Sequence, residues 1–255
     1  MLTQKTVPGW LQNCLQDKKI ELWGCADLHG FDLPGIAQDQ GLYYALSWAV
    51  PVSADIMAQV GLSGPNQAYA REYAKVNSCI IEQAQALEGL LVSQGYKAWA
   101  LPVSKRTDQM GIKADFPHKT AATRAGLGWV GRNCQLVTRR YGPWVRLGTV
   151  FTDLCLACGP AVERHFCGKC MRCVEACPAR ALSGQAWHPG LPREGILDPG
   201  LCDWWKKEHY FQFSQGHNCA ICSGVCPYGL KILRNCTPGP GVRPTGRKKL
   251  APKDA

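Results

Sequence analysis

Two cysteine runs near the C-terminal end constrain this chain more than any other feature. The first is Cys167-x2-Cys170-x2-Cys173-x3-Cys177-Pro178 and the second is Cys219-x2-Cys222-x3-Cys226-Pro227. Thiols with two residues between them on a tight loop converge on one metal cluster. A three-residue gap followed by proline carries the last sulfur away toward a second one. Two cubane clusters need eight thiolates. The runs supply seven, and Cys202, between them, is the eighth. The spacing assigns Cys167, Cys170, Cys173 and Cys226 to one 4Fe–4S cluster, and Cys177, Cys202, Cys219 and Cys222 to the other.

This is the spacing of bacterial two-cluster ferredoxins. Zinc also takes C-x2-C pairs, but it gives no reason for four cysteines in eleven residues followed by Cys-Pro. A disulfide framework fits poorly with fifteen cysteines and no basic-then-apolar leader. The expected setting is a reducing cytoplasm. No apolar run approaches the roughly 20 residues of a membrane span. The formal charge is +10. Eight thiolates and two oxidised cubane cores bring the loaded protein near about +6. A basic balance suits an acidic partner, RNA or a redox protein, and a solvated basic tail explains it equally well.

Upstream of the cysteines the pattern is mixed. A short helix with Pro8 in its first turn opens the chain, followed by strands over 20–26 and 41–50. Residues 52–65 read as a loop with one helical turn. Tyr69, Tyr73, Val76, Ile80, Ala84, Leu87 and Leu91 recur at helical spacing, and Gly95 supplies a stop. A strand over 96–103 and a polar loop over 104–116 follow, then a helix over 118–125. Residues 135–138 and 144–152 read as two strands paired around a 139–143 turn. The expected fold is α/β (α+β), with an α/β cofactor or substrate domain over 1–153. A double 4Fe–4S ferredoxin-like domain over 154–236 and a basic disordered tail over 237–255 complete the expectation.

The stretch from Phe116-Pro117-His118-Lys119-Thr120 through Ala125-Gly126-Leu127-Gly128-Trp129-Val130-Gly131-Arg132-Asn133, followed by the cysteine runs and the lone Cys202, resembles the epoxyqueuosine reductase family. The resemblance implies a nitroreductase-like, cobalamin-type N-terminal domain joined to two 4Fe–4S clusters. It also implies a reductase that receives electrons from a reduced flavodoxin or ferredoxin. Two departures bear on substrate. The tRNA-acting enzymes carry a proposed proton-donating aspartate at a position that aligns here with Ile112, the nearest acid being Asp115. Longer members also continue into a helical-repeat extension that contributes to tRNA binding. The expectation is therefore an iron–sulfur reductase of a small-molecule or protein-bound substrate. The alternatives are a compact tRNA-modifying enzyme, a ferredoxin-like electron carrier and a corrinoid-activating protein.

The candidate site residues follow from this. Asp115 is the candidate proton donor, with an exposed loop carboxylate as the plainer reading. His118 is placed to donate a proton or ligate cobalt, against helix capping or backbone bonding. Lys119 and Arg132 would meet amide or phosphate groups of a cofactor, or solvent. Gly126, Gly128 and Gly131, with Trp129, would let a corrin lie on bare backbone, or would form a tight turn. Cys155-x2-Cys158 stands outside the eight ligands as a pair of free thiols. Cys14, Cys25, Cys79 and Cys134 read as small buried hydrophobes.

Overall fold

A computed structural model of the protein describes residues 7–103, 107–108 and 112–235. The expected tail over 237–255 lies outside them. Helix α1 (Gly9–Asp17) buries Leu11 and Leu15, and strand β1 (Leu22–Asp27) follows. A short α2 (Gly35–Asp39) leads to β2 (Tyr44–Pro51). Residues 54–63 are not a loop but a ten-residue helix, α3 (Ala54–Ser63), closed by Gly64 at φ 82°. Its buried residues, Met57 and Val60, are spaced for one turn only, so the periodicity is too short to announce a helix. The long α4 (Gln67–Ser93) begins at Asn66, whose side chain accepts the Tyr69 backbone N–H at 2.9 Å.

Strand β3 (Ala98–Ala100) is shorter than the apolar run around it. Helix α5 (His118–Arg124) turns into β4 (Gly128–Val130), then β5 (Leu136–Thr138) and β6 (Val145–Thr152). The expected pairing of the last two strands is wrong. β5 pairs with β4 as a separate ribbon, whereas β6 lies between β2 and β3 in a four-stranded sheet of order β1-β2-β6-β3. Proximity in sequence favoured the hairpin. The eight-residue register of β6 on β2, from Tyr44↔Thr152 to Pro51↔Val145, offers a longer ladder and wins.

Every pairing in that sheet is antiparallel. Both faces are nonetheless covered, which is why β2 is buried without interruption over 45–49. Leu46, Trp48 and Val150 face Ile80, Leu87 and Leu91 of α4. Ala45 and Phe151 face Ala121 and Ala122 of α5. The buried Trp48 indole donates to Gln83 at 2.8 Å, and Gln83 donates to the Lys18 carbonyl, so the polar atoms in this core are satisfied.

The cysteine-bearing segment comprises α6 (Arg172–Glu175), α7 (Pro199–Tyr210), α8 (Ile221–Gly224) and α9 (Pro227–Asn235). It docks on the sheet region through bare backbone. A Cβ on Gly61 of α3 would lie 2.7 Å from the Gly224 carbonyl carbon, so only glycine on both sides permits the approach. Trp144 anchors the same seam, its indole donating to the Ser223 carbonyl at 2.8 Å. No described helix is long and apolar enough to cross a membrane.

Candidate iron–sulfur and cofactor site

Local structure presents each thiol. Cys170 closes a turn on the Cys167 carbonyl at 3.1 Å, helped by Gly168 at φ 56°. The single turn of α6 carries Cys173, and Cys177 follows it. Asp198 caps α7 by accepting the Leu201 N–H at 2.9 Å, and Cys202 sits in that first turn. Ala220 takes a left-handed conformation, φ 61°, to start α8 after Cys219. Cys226 immediately precedes Pro227, the first residue of α9.

The fold sorts these thiols into two sets. Cys167, Cys170, Cys173 and Cys226 border one cavity of about 210 Å³, beside Arg132 and Tyr228. Cys177, Cys202, Cys219 and Cys222 border another of about 200 Å³, beside Trp144 and Tyr69. Electrostatics repeat the sorting. Burial pushes Cys173 up to about 11, with Cys226, Cys167 and Cys170 adding repulsion. Burial and then Cys202 and Cys177 act on Cys219, also at about 11. Cys222 is driven well above the ordinary thiol range by burial and then by Cys219 and Cys202. Such thiols hold their protons until a cation replaces them, so metal binding here must release protons. Among the described residues, no three or more His, Cys, Asp or Glu side chains close on a point to hold a single ion. Eight soft sulfur donors in two sets of four around separate voids fit two cubane cores.

The residues expected to hold a further cofactor do not converge on one place. His118 opens α5 with Nδ1 2.9 Å from the Thr149 hydroxyl and Nε2 3.4 Å from the Pro102 carbonyl. Burial lowers its pKa to about 4, so it is a neutral pin between α5 and β6. Neither ring nitrogen is left for a metal. Lys119 donates to the Cys134 carbonyl at 2.9 Å and to its sulfur at 3.0 Å, and borders a cavity of about 380 Å³. Cys134 is buried as expected, but it is a lysine partner as well as a small apolar residue. Arg132 donates to the carbonyls of Gly184 and Gly168, tying the β4–β5 turn to the first cysteine loop.

The glycines are spoken for by the protein itself. A Cβ on Gly128 would strike the Val137 carbonyl across the β4–β5 ribbon, and one on Gly131 would lie 2.7 Å from Asn133 Oδ1. Gly126 is needed for its φ of 77° and faces the Pro160 carbonyl. They therefore form a turn rather than a bare cradle. Asp115 is exposed at the bend before the buried Phe116. Ile112 donates its N–H to Asp108 at 2.7 Å, and its carbonyl accepts from Arg193 at 3.1 Å.

Gly126, Gly128 and Trp129 do border the roomiest of these cavities, about 640 Å³. Its other walls were not singled out from sequence: Arg139, Arg140, Arg164 and Phe166. Phe166 also borders the first cysteine cavity, so the two spaces share it as a lining residue. Trp129 meets it edge-on at 5.1 Å and meets Tyr228 at 4.9 Å. Arg139 and Arg164 stack on the Phe166 ring at 4.7 and 5.0 Å. The available signal was position: Phe166 immediately precedes Cys167, and Arg139-Arg140 occupies the turn after β5.

Residues 166–229 match the model of the 4Fe-4S double cluster binding domain. The chain is 36% identical over 127 residues to an epoxyqueuosine reductase of Synechocystis sp., covering 46% of this chain and 40% of that protein. The solved structure of an epoxyqueuosine reductase with a tRNA-Tyr epoxyqueuosine-modified tRNA stem loop superimposes with a TM-score of 0.59 at 17% identity. That match covers 86% of this chain and 65% of the other. A catabolic reductive dehalogenase in complex with 3-bromo-4-hydroxybenzoic acid gives 0.64 at 19% identity, over 86% and 31%. The chain thus spans about two fifths of the length of this curated relative and shares a fold with both structures.

Proposed function

We propose that this chain, similar to the epoxyqueuosine reductases and to the reductive dehalogenases in fold, is an iron–sulfur oxidoreductase. Its acceptor site is the 640 Å³ cavity beside Trp129 and Phe166. The observation that carries the reading is the sorting of eight cysteines around two cavities, the first sharing the Phe166 wall with the acceptor space. Cys167, Cys170, Cys173 and Cys226 would hold one 4Fe–4S cluster, and Cys177, Cys202, Cys219 and Cys222 the other. Those clusters supply one-electron storage and transfer. The protein's own share is positional. Phe166, Trp129 and Tyr228 keep water from the gap between cluster and cavity, while Arg139, Arg140 and Arg164 offer positive charge at its edge.

A cobalamin-type corrinoid is the acceptor that the resemblance implies, and when bound it supplies a redox-active cobalt centre. Among the described residues no histidine lines the cavity and His118 is committed elsewhere, so these residues would leave cobalt without an imidazole ligand. Electrons from an acidic donor, such as a reduced flavodoxin or ferredoxin, would enter at the set Cys177, Cys202, Cys219 and Cys222, where Arg180 and Lys207 are exposed, and pass to the first set. For the substrate, Ile112 has no proton to give and Asp115 lies in solvent, which favours a small-molecule or protein-bound substrate over tRNA. The test is anaerobic reconstitution with iron, sulfide and cob(II)alamin. About eight iron per chain and a cobalt paramagnetic spectrum lacking nitrogen splitting are expected. No corrinoid binding at micromolar concentrations would leave the electron-carrier reading. Repeated turnover of epoxyqueuosine tRNA, abolished by Asp115→Asn, would instead make this a compact tRNA-modifying enzyme.

A further inference from the structure

The cavity of about 380 Å³ has no role in the proposal above, and its walls come from both halves of the chain. One side is built by α5 and β4, with Lys119, Arg124 and Val130. The other is the stretch between Cys177 and Cys202, with Trp187, Leu191 and Ile196. Trp187 and Leu191 pack on the buried cluster of Val130, Cys134 and Ile196, so this wall is an apolar extension of packed core.

Charge around the cavity is not balanced. Of the residues that border it, Lys119, Arg124 and Arg193 are cationic and Glu163 is anionic. Glu163 accepts from Arg124 Nη1 at 3.3 Å, and Glu194, outside the wall, accepts from Arg193 at 2.8 Å. Lys119 has no such partner among the described residues. Its ammonium donates to the Cys134 carbonyl at 2.9 Å and to the Cys134 sulfur at 3.0 Å, both neutral acceptors. Two of its three protons are thereby placed and the third is open to a ligand. Arg124 leaves a second donor open, because its Nε is buried with no hydrogen-bond partner among the described residues. A part-buried ammonium without a counter-ion and an orphaned buried N–H each destabilise the empty site. An anionic group in the cavity relieves both.

One uncompensated positive charge calls for one negative charge. A carboxylate supplies it and brings two acceptor oxygens for the two waiting donors, whereas a phosphate monoester carries nearly two charges. The apolar wall calls for a hydrocarbon body. A volume near the lower end for ligand pockets has room for roughly one or two rings, not for a nucleotide or a macrocycle.

We propose that this cavity binds a small organic monocarboxylate, its acid group on Lys119 and Arg124 and its apolar body on Trp187, Leu191 and Ile196. The cavity shares Val162 and Glu163 with the 640 Å³ cavity, so the bound acid lies beside the space assigned to the electron acceptor. A substrate of the proposed reductase belongs there, but the binding itself does not depend on that reading.

Anaerobically reconstituted protein is titrated in a calorimeter with hydrocinnamate, and in parallel with the neutral hydrocinnamide and with phenyl phosphate. The acid should bind once per chain, and about tenfold or more tightly than the amide, as expected for a charge-assisted hydrogen bond. Lys119→Met should lower acid affinity to that of the amide with iron per chain unchanged, and Lys119→Arg, which keeps the charge, should retain the preference. Trp187→Ala should weaken acid and amide together. The inference is overturned if the acid does not bind at millimolar concentration, if the amide binds equally well, if phenyl phosphate is preferred, or if Trp187→Ala changes nothing. No arm requires electron transfer, so the reductase reading stands or falls separately.

Discussion

Single residues decide the loading and part of the pH response. Cys202 is one of four thiols around the second cavity, and its removal leaves three. Cys202→Ala should lower iron from about eight to about four or five per chain and remove one of two paramagnetic signals, as a cubane lacking one thiolate becomes labile. Unchanged iron and spectrum would remove Cys202 from the ligand set. His118 is depressed from 6.5 to about 4 by burial. Below pH 6.5 the unfolded chain takes up a proton that the folded one refuses. Its stabilising contribution is therefore present above 6.5 and is lost as pH falls toward 4. Denaturant midpoints of the wild type should drop more steeply across that window than those of His118→Gln. Equal slopes would show that His118 is not held neutral.

At the scale of elements, close backbone contacts carry the fold. Gly128 is barred from a side chain by the Val137 carbonyl of the partner strand, not by a ligand. Gly128→Ala should therefore destabilise the protein by about 1–3 kcal/mol with no corrinoid present, as overpacking does. Thermal unfolding of the cofactor-free protein measures this, and an unchanged midpoint would return Gly128 to a ligand-facing role. The α3–α8 seam follows the same logic. Gly61→Val forces the sheet region and the cysteine-bearing segment apart, since Gly224 offers only backbone to give way. Both clusters should assemble poorly in that variant, although no ligand is changed, and iron analysis after reconstitution checks it.

The whole molecule carries a formal +10, falling near about +6 once eight thiolates and two cluster cores are counted. Exposed Lys169, Arg172, Arg180, Lys207 and Lys231 place part of that charge on the cysteine-bearing side. Reduction by an acidic flavodoxin should slow on the order of tenfold between low and several-hundred-millimolar salt, because screening removes steering beyond the Debye length. Stopped-flow reduction at graded ionic strength reads this directly. A rate indifferent to salt would separate the basic surface from electron entry.

Cysteine spacing alone pointed to a 4Fe–4S double-cluster segment, which the family match over residues 166–229 bears out, and it divided eight cysteines into the same two sets of four that border separate cavities. A cubane constrains its thiolates over a few residues, and that constraint is written locally. Hydrophobic period likewise placed α4, where Ile80, Ala84, Leu87 and Leu91 repeat over many turns. Strand partners, the α3 helix and the walls of the 640 Å³ cavity were decided by tertiary structure. β6 left the neighbouring β5 for an eight-residue ladder on β2, a choice made by pairing across about a hundred residues. The glycines around Gly128 advertised open backbone, yet the space beside two of them is filled by Val137 and Asn133. Phe166 became a shared wall because the first cysteine loop docks against β4. Such neighbours arise from packing among distant elements, and no local pattern of residues encodes them.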